Sequence, residues 1–247
     1  MPRYLPNLRF SDCWSSIGNI TFFHIDGRCY WRTRPRPVFP GTPGQIHQLD
    51  LHRRALAAWR TISSEEQHQW NVYAKSVPSH RPPYDNSHHI TGHNLFVSAY
   101  HGFAQLGSEH VPVPVPYPDF PVATVKSVTA TVVNGTDMQL DCTVLMETEA
   151  PPTPYRVAAR IQLANVGCGK NSGLMRSFIS RTVGILTHQE ASEPAAFEMI
   201  VRFHIPDYRS IWNVDGSGLQ MYFKFFLIDQ ITGYRKLFGN YHQVCRC

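Results

Sequence analysis

The chain has 247 residues, 43% of them hydrophobic and 12% aromatic, which is enough apolar material for one large packed domain or two small ones and excludes a chain too polar to fold. Charged residues make up 17%, below the roughly 25% of an average soluble domain. Low charge with many aromatics suits a surface buried against partners, or simply a large β-domain. The formal net charge is +5. Residues 1–60 hold nine Arg against Asp12, Asp26 and Asp50, so the basic character reads as belonging to the N-terminal end. Arg rather than Lys favours bidentate pairing with carboxylate or phosphate.

No apolar run has the length of a signal peptide or a membrane span, so the sequence predicts a soluble product made in the cytoplasm without a leader. The six Cys form no C-x-x-C pair, which predicts reduced thiols.

The first element in chain order is a hairpin from Asn19 to Arg34, with Asp26-Gly27 as its type I′ turn signal. Arg28, Tyr30, Arg32 and Arg34 alternate onto one face of its second strand, and Cys29, Trp31 and Thr33 onto the other. An extended connector, Pro35–Pro40 with Arg36, follows. Thr42-Pro43-Gly44-Gln45 predicts a helix start running to about Arg60. Ser63-Ser64-Glu65-Glu66 predicts a second helix carrying Trp70, Tyr73, Ala74 and Val77 inward, ended by Pro78. Thr91 caps a third, with Leu95, Phe96, Ala99, Phe103 and Leu106 inward and Gly107 as its stop.

Val111–Pro118 reads as a semi-rigid polyproline spacer, with a break in tertiary contact along Val111–Phe120. Beyond it the apolar period becomes two. Strands are predicted at Thr124–Val133, Met138–Leu145, Tyr155–Ala164, Phe178–Ile185, Ala196–His204, Gln220–Asp229 and Leu237–Val244. Asn134-Gly135, Asp215-Gly216 and Thr232-Gly233 supply turns. The expected class is α+β: a basic aromatic hairpin arm (1–40), a three-helix module (41–110), a Pro-rich linker (111–121) and an antiparallel β-sandwich of fibronectin or immunoglobulin type (122–247).

Candidate chemistry is sparse. His80, His88, His89 and His93 cluster between the second and third helices, but no Cys is near and Asp85 is the only acid close by, so no metal site is expected. Gly167–Gly173 departs from the phosphate-loop spacing and reads as a loop between strands. No G-x-S-x-G, Cys–His pairing or motif-positioned carboxylate pair appears, so no enzyme and no cofactor are expected. A carbohydrate-binding or carbohydrate-active sandwich is a further alternative, and it would need a cleft with paired carboxylates. The suggestive residues are Arg28, Tyr30, Trp31, Arg32, Arg34 and Arg36. Arg and aromatic side chains on one strand face suit a protein partner, or the phosphates and bases of a nucleic acid.

The N-terminal half also resembles an uncharacterised family borne by bacterial and phage genomes. The resemblance rests on Ile17-Gly-Asn19, Tyr30-Trp-Arg32, Thr42-Pro-Gly-Gln45, Trp59-Arg-Thr-Ile-Ser63, Glu66-Gln-His-Gln-Trp70-Asn-Val-Tyr-Ala74 and Gly92-His-Asn-Leu-Phe96. Asp229-Gln-Ile-Thr-Gly233 matches a strand turn seen in its β-sandwich members, while Gly44 departs from the usual pattern. The resemblance implies a structural component of a phage or phage-like particle, a virion protein that binds protein neighbours or its own copies rather than an enzyme.

Overall fold

The structure, a computed structural model, describes residues 3–4, 15–25, 28–33, 41, 43–77, 89–148, 152, 154–188, 196–214 and 218–245. They fall into two compact units, Met1–His47 and Gln48–Cys247. The first is a four-stranded antiparallel sheet, order β1-β4-β3-β2, from β1 (Arg3–Tyr4), β2 (Ser15–Ile17), β3 (Ile20–Ile25) and β4 (Arg28–Thr33). The expected hairpin is its centre, with Phe23 opposite Tyr30 and Thr21 opposite Arg32. The arm is thus more than a bare hairpin, because two short strands flank it. β2 reaches β3 through the two-residue turn Gly18-Asn19. Gly18 takes φ +57 there, a left-handed conformation that glycine adopts without strain. The Asp26-Gly27 turn, the Pro35–Pro40 connector, Thr42, Asp215-Gly216 and most of the 79–90 loop lie outside the described residues.

Helix α1 (Pro43–Thr61) is followed by α2 (Ser64–Ala74), started by a complete capping box. The Ser63 amide donates to Glu66 Oε2 (2.8 Å) and the Glu66 amide to Ser63 Oγ (3.2 Å), satisfying two otherwise orphaned donors. α3 (Gly92–Gln105) starts at Thr91, whose Oγ1 accepts from the Asn94 amide (3.2 Å), and stops at Gly107 with φ +79. No helix among the described residues is long and apolar enough to cross a membrane.

Among the described residues eight strands follow, all paired antiparallel. One sheet runs β5-β6-β10-β9 and the other β12-β11-β7-β8. Their ranges are β5 Val122–Val133, β6 Asp137–Glu147, β7 Tyr155–Asn165, β8 Arg176–Ile179, β9 Arg181–His188, β10 Ala196–Ile205, β11 Leu219–Asp229 and β12 Arg235–Cys245. The period-two pattern predicted by the sequence is the burial pattern of β6, β10 and β11, whose alternate residues are buried. The two inner faces meet, as the Phe203 and Phe225 rings show with centroids 6.3 Å apart. Asn134-Gly135 makes the β5–β6 turn with both residues at positive φ, as a type I′ turn demands. Inside, Cys142 is wholly buried, and burial pushes its thiol up to about 12.

Two expectations are corrected. The single strand Phe178–Ile185 is two strands in different sheets. β8 pairs with β7 and β9 with β10, and the chain crosses between sheets at the buried Ser180, whose amide donates to Val157 O (2.9 Å). Nor is tertiary packing interrupted along Val111–Phe120. Val115 O accepts from the Tyr234 hydroxyl (2.7 Å), Tyr117 lies 5.3 Å from the Tyr234 ring, and Phe120 is buried. Prolines hold this segment extended, but extended chain with aromatic side chains can lie along a surface as readily as span a gap. Trp70, Leu95, Phe96 and Ala99 accordingly share one buried cluster with the sandwich residues. The short helix α4 (Tyr208–Trp212), capped by Asp207, had no apolar period long enough to announce it.

Candidate functional site

In the N-terminal sheet, the outer residues of β4 do what their alternation predicts. Arg28 and Arg32 are exposed and Tyr30 is half-buried. Tyr30 stacks on Phe23 (5.9 Å, 21°), and the Arg32 guanidinium sits 5.8 Å from the Phe23 ring centre. One face thus carries a stacked aromatic pair with a cation over it, worth about 0.5–1 kcal/mol at an exposed site. Trp31 alternates to the opposite side, and its buried indole N–H has no acceptor among the described residues. The face therefore gathers Arg28, Tyr30 and Arg32 but not Trp31. Arg34 and Arg36 lie outside the described residues.

The second region is where the helices meet the sandwich. Asp229 closes the β11–β12 turn, its carboxylate accepting from the Ile231 amide (2.9 Å) and the Thr232 hydroxyl (2.8 Å), while the Gly233 amide donates to Asp229 O (2.9 Å). This is the D-x-x-T-G pattern, and its work here is turn building. Gly233 then lies against α3 so closely that a Cβ on Gly102 would fall on the Gly233 carbonyl oxygen.

His101, on α3, faces this junction. Its Nε2 is buried with no hydrogen-bond partner among the described residues, and its ring lies 6.0 Å from that of His52 on α1. Burial first, then Arg235 and His52, lowers its pKa from 6.5 to about 4. The folded chain therefore favours neutral imidazole. Between about 4 and 6.5 the unfolded chain binds a proton that the folded chain does not, so stability rises with pH across that window and is lost as pH falls through it. We expect His101→Leu to flatten that part of the profile in urea unfolding between pH 7 and 4.5. An unchanged profile would remove His101 from the account.

The predicted histidine cluster does not assemble as a donor set in the described residues. His93 is spent edge-on against Trp59 (5.4 Å), His89 is exposed, and His80 and His88 lie outside them. No group of three or more His, Cys, Asp or Glu is gathered among the described residues. The glycine-rich loop is a strand connection, as expected. The buried Gln162 side chain donates to Gly169 O (3.3 Å) and accepts from the Asn171 amide (2.7 Å), holding the loop over β7.

Sequence reading missed how charge is divided within the sandwich. The strands of the β5-β6-β10-β9 sheet carry Lys126, Arg181 and Arg202 against Asp137, Asp141, Glu147 and Glu198. Those of the β12-β11-β7-β8 sheet carry Arg156, Arg160, Arg176, Lys224, Arg235 and Lys236 against Asp229 alone. The near-neutral total after residue 60 concealed this division. A signal was present, because residues 155–188 contain five cations and no Asp or Glu.

No family model matches the chain, and no curated protein matches it. Among solved structures, the chain is similar to AggA, the major subunit of aggregative adherence fimbriae type I from Escherichia coli, at 7% identity and a TM-score of 0.24. That likeness covers 52% of this chain and 95% of the fimbrial one, and at that level it decides nothing about fold or activity.

Proposed function

We propose that the protein is a non-enzymatic structural component that binds protein neighbours, a second copy of itself first among them, through the Arg28–Tyr30–Arg32 face of its N-terminal sheet. One observation carries this reading: the N-terminal unit presents a stacked Phe23–Tyr30 pair flanked by the exposed Arg28 and Arg32. Tyr and Arg are the residue types enriched at interface hot spots. The motif resemblance supplies the setting, a phage or phage-like particle built from a chain made in the cytoplasm. We assign the sandwich to the immunoglobulin type. Reading β5 to β12 as A, B, C, C′, D, E, F and G gives the orders A-B-E-D and G-F-C-C′, which supports that assignment.

Light scattering on the full chain tests the interface. We expect self-association that Arg28→Glu with Arg32→Glu weakens at least about thirtyfold, the effect of losing one hot spot of about 2 kcal/mol. A full-length protein that stays monomeric, or a variant of unchanged mass, overturns the reading. Nucleic acid binding by this sheet would show instead as salt-steep DNA affinity lost in the same variant.

A further inference from the structure

We propose that the outer face of the β7–β11–β12 sheet binds single-stranded nucleic acid. This goes beyond the N-terminal interface and uses none of its residues. Ile161, Leu163, Phe223 and Phe225 fill the core, so Arg160, Tyr222 and Lys224 point outward, with Gln162 on the same side but buried beneath the loop it holds. Arg160 and Lys224 stand directly opposite each other in register. Like charges so placed destabilise a sheet. No Asp or Glu occupies an outward position on these three strands, and neither cation has an acidic partner among the described residues. Arg160 reaches over Phe226 (5.8 Å to the ring centre). Arg235 is close enough to it that, after burial, Arg160 is what lowers the Arg235 pKa. Lys170 is exposed in the loop that Gln162 holds over the same face.

A face that keeps unrelieved cations together is complementary to an anion. A second copy is a poor source, because the central carboxylates of the opposite sheet are engaged within the chain. Asp141 holds Arg202 in a bidentate pair (2.7 and 2.9 Å), and Asp137 accepts from the Asp207 amide (3.0 Å) and lies 3.4 Å from His204. Rings favour nucleic acid over other polyanions. Exposed His242 stacks on Tyr222 (4.6 Å, 18°), whose hydroxyl is fixed to Cys168 O (3.0 Å). Cations tracking phosphates beside stacking platforms suit a single strand, whereas duplex reading needs an element that enters a groove.

The test is fluorescence anisotropy of a labelled oligothymidine of about 20 nucleotides with the full chain, over a range of salt. We expect log affinity against log salt to slope at about −2, three phosphate contacts at about −0.7 each. Arg160→Gln with Lys224→Gln should flatten that slope by about 1.4 and cut affinity tenfold or more at about 0.1 M salt. Its melting temperature should be equal or higher, because a like-charge pair has gone. His242→Ala should cost roughly tenfold through lost stacking. Arg160→Lys with Lys224→Arg should bind as the natural chain does, and Lys126→Gln with Arg181→Gln, on the opposite sheet, should leave binding unchanged. No binding at about 0.05 M salt, loss without rescue by the charge-keeping swap, or equal loss in the Lys126/Arg181 variant overturns the proposal. So does equal binding of a sulfated glycan of matched charge with His242→Ala neutral.

Discussion

Gly102→Ala is expected to destabilise the protein by about 2–3 kcal/mol, although alanine inside a helix ordinarily gains about 1 kcal/mol over glycine. The reversal of sign comes from one contact. The new Cβ would occupy the position of the Gly233 carbonyl oxygen, which is backbone and cannot rotate aside. Either α3 moves away from the β11–β12 turn or the turn opens, and the turn is held by four hydrogen bonds centred on Asp229. Gly233→Ala should act on the same contact from the other side. Its Cβ would lie 2.6 Å from Ala99 O and 2.7 Å from the Phe103 ring, at a φ of +73 that a non-glycine residue adopts only with strain. Because both substitutions separate the same two elements, the double variant should cost less than the sum of the singles. Urea unfolding of the three variants reads this directly. Additive losses would mean that the helix and the turn are not coupled.

Trp70→Ala should cost about 3–5 kcal/mol, the range for a large aromatic removed from a filled core. Trp70 is fully buried, and its ring meets Phe96 edge-on (5.5 Å) and Tyr234 edge-on (6.0 Å), so it touches both α3 and the sandwich turn. Its indole N–H is buried without an acceptor among the described residues, which separates two contributions. If ring packing dominates, Trp70→Phe keeps most of the stability, because it removes an unsatisfied donor along with part of the ring. A Trp70→Phe variant as damaged as Trp70→Ala would contradict that ranking.

The parts of the fold legible in the sequence were those set by local chemistry. Ser63 with Glu66, Thr91 with Gly107, and Asn134-Gly135 each declare an element end through one or two residues, and each stands where those residues put it. The strand period was equally plain, since alternate residues of β6 and β11 have to be buried. What escaped depends on distant pairing. Nothing local tells that Ser180 divides one apolar run between two sheets, because both halves alternate alike. Proline content alone made Val111–Pro118 look like a spacer, whereas Tyr234 and Tyr117 tie it down.

The site was legible in the same measure. Alternation alone put Arg28, Tyr30 and Arg32 on one face. The flanking strand β1 pairs Tyr4 with Tyr30 in register through only two residues, too few to carry a pattern. Arg160 and Lys224 are 64 positions apart in sequence, and only the β7–β11 register makes them neighbours.

The proposed interface is tested most directly at Tyr30. With a photoreactive benzophenone side chain at that position, irradiation of the purified full chain should link it to a second copy, seen as a covalent dimer whose cross-linked peptide comes from another molecule. Tyr30→Phe as the unreactive control should give none. Linkage found only within one chain, between Tyr30 and residues 48–247, would show that the sheet covers its own molecule and would contradict the account.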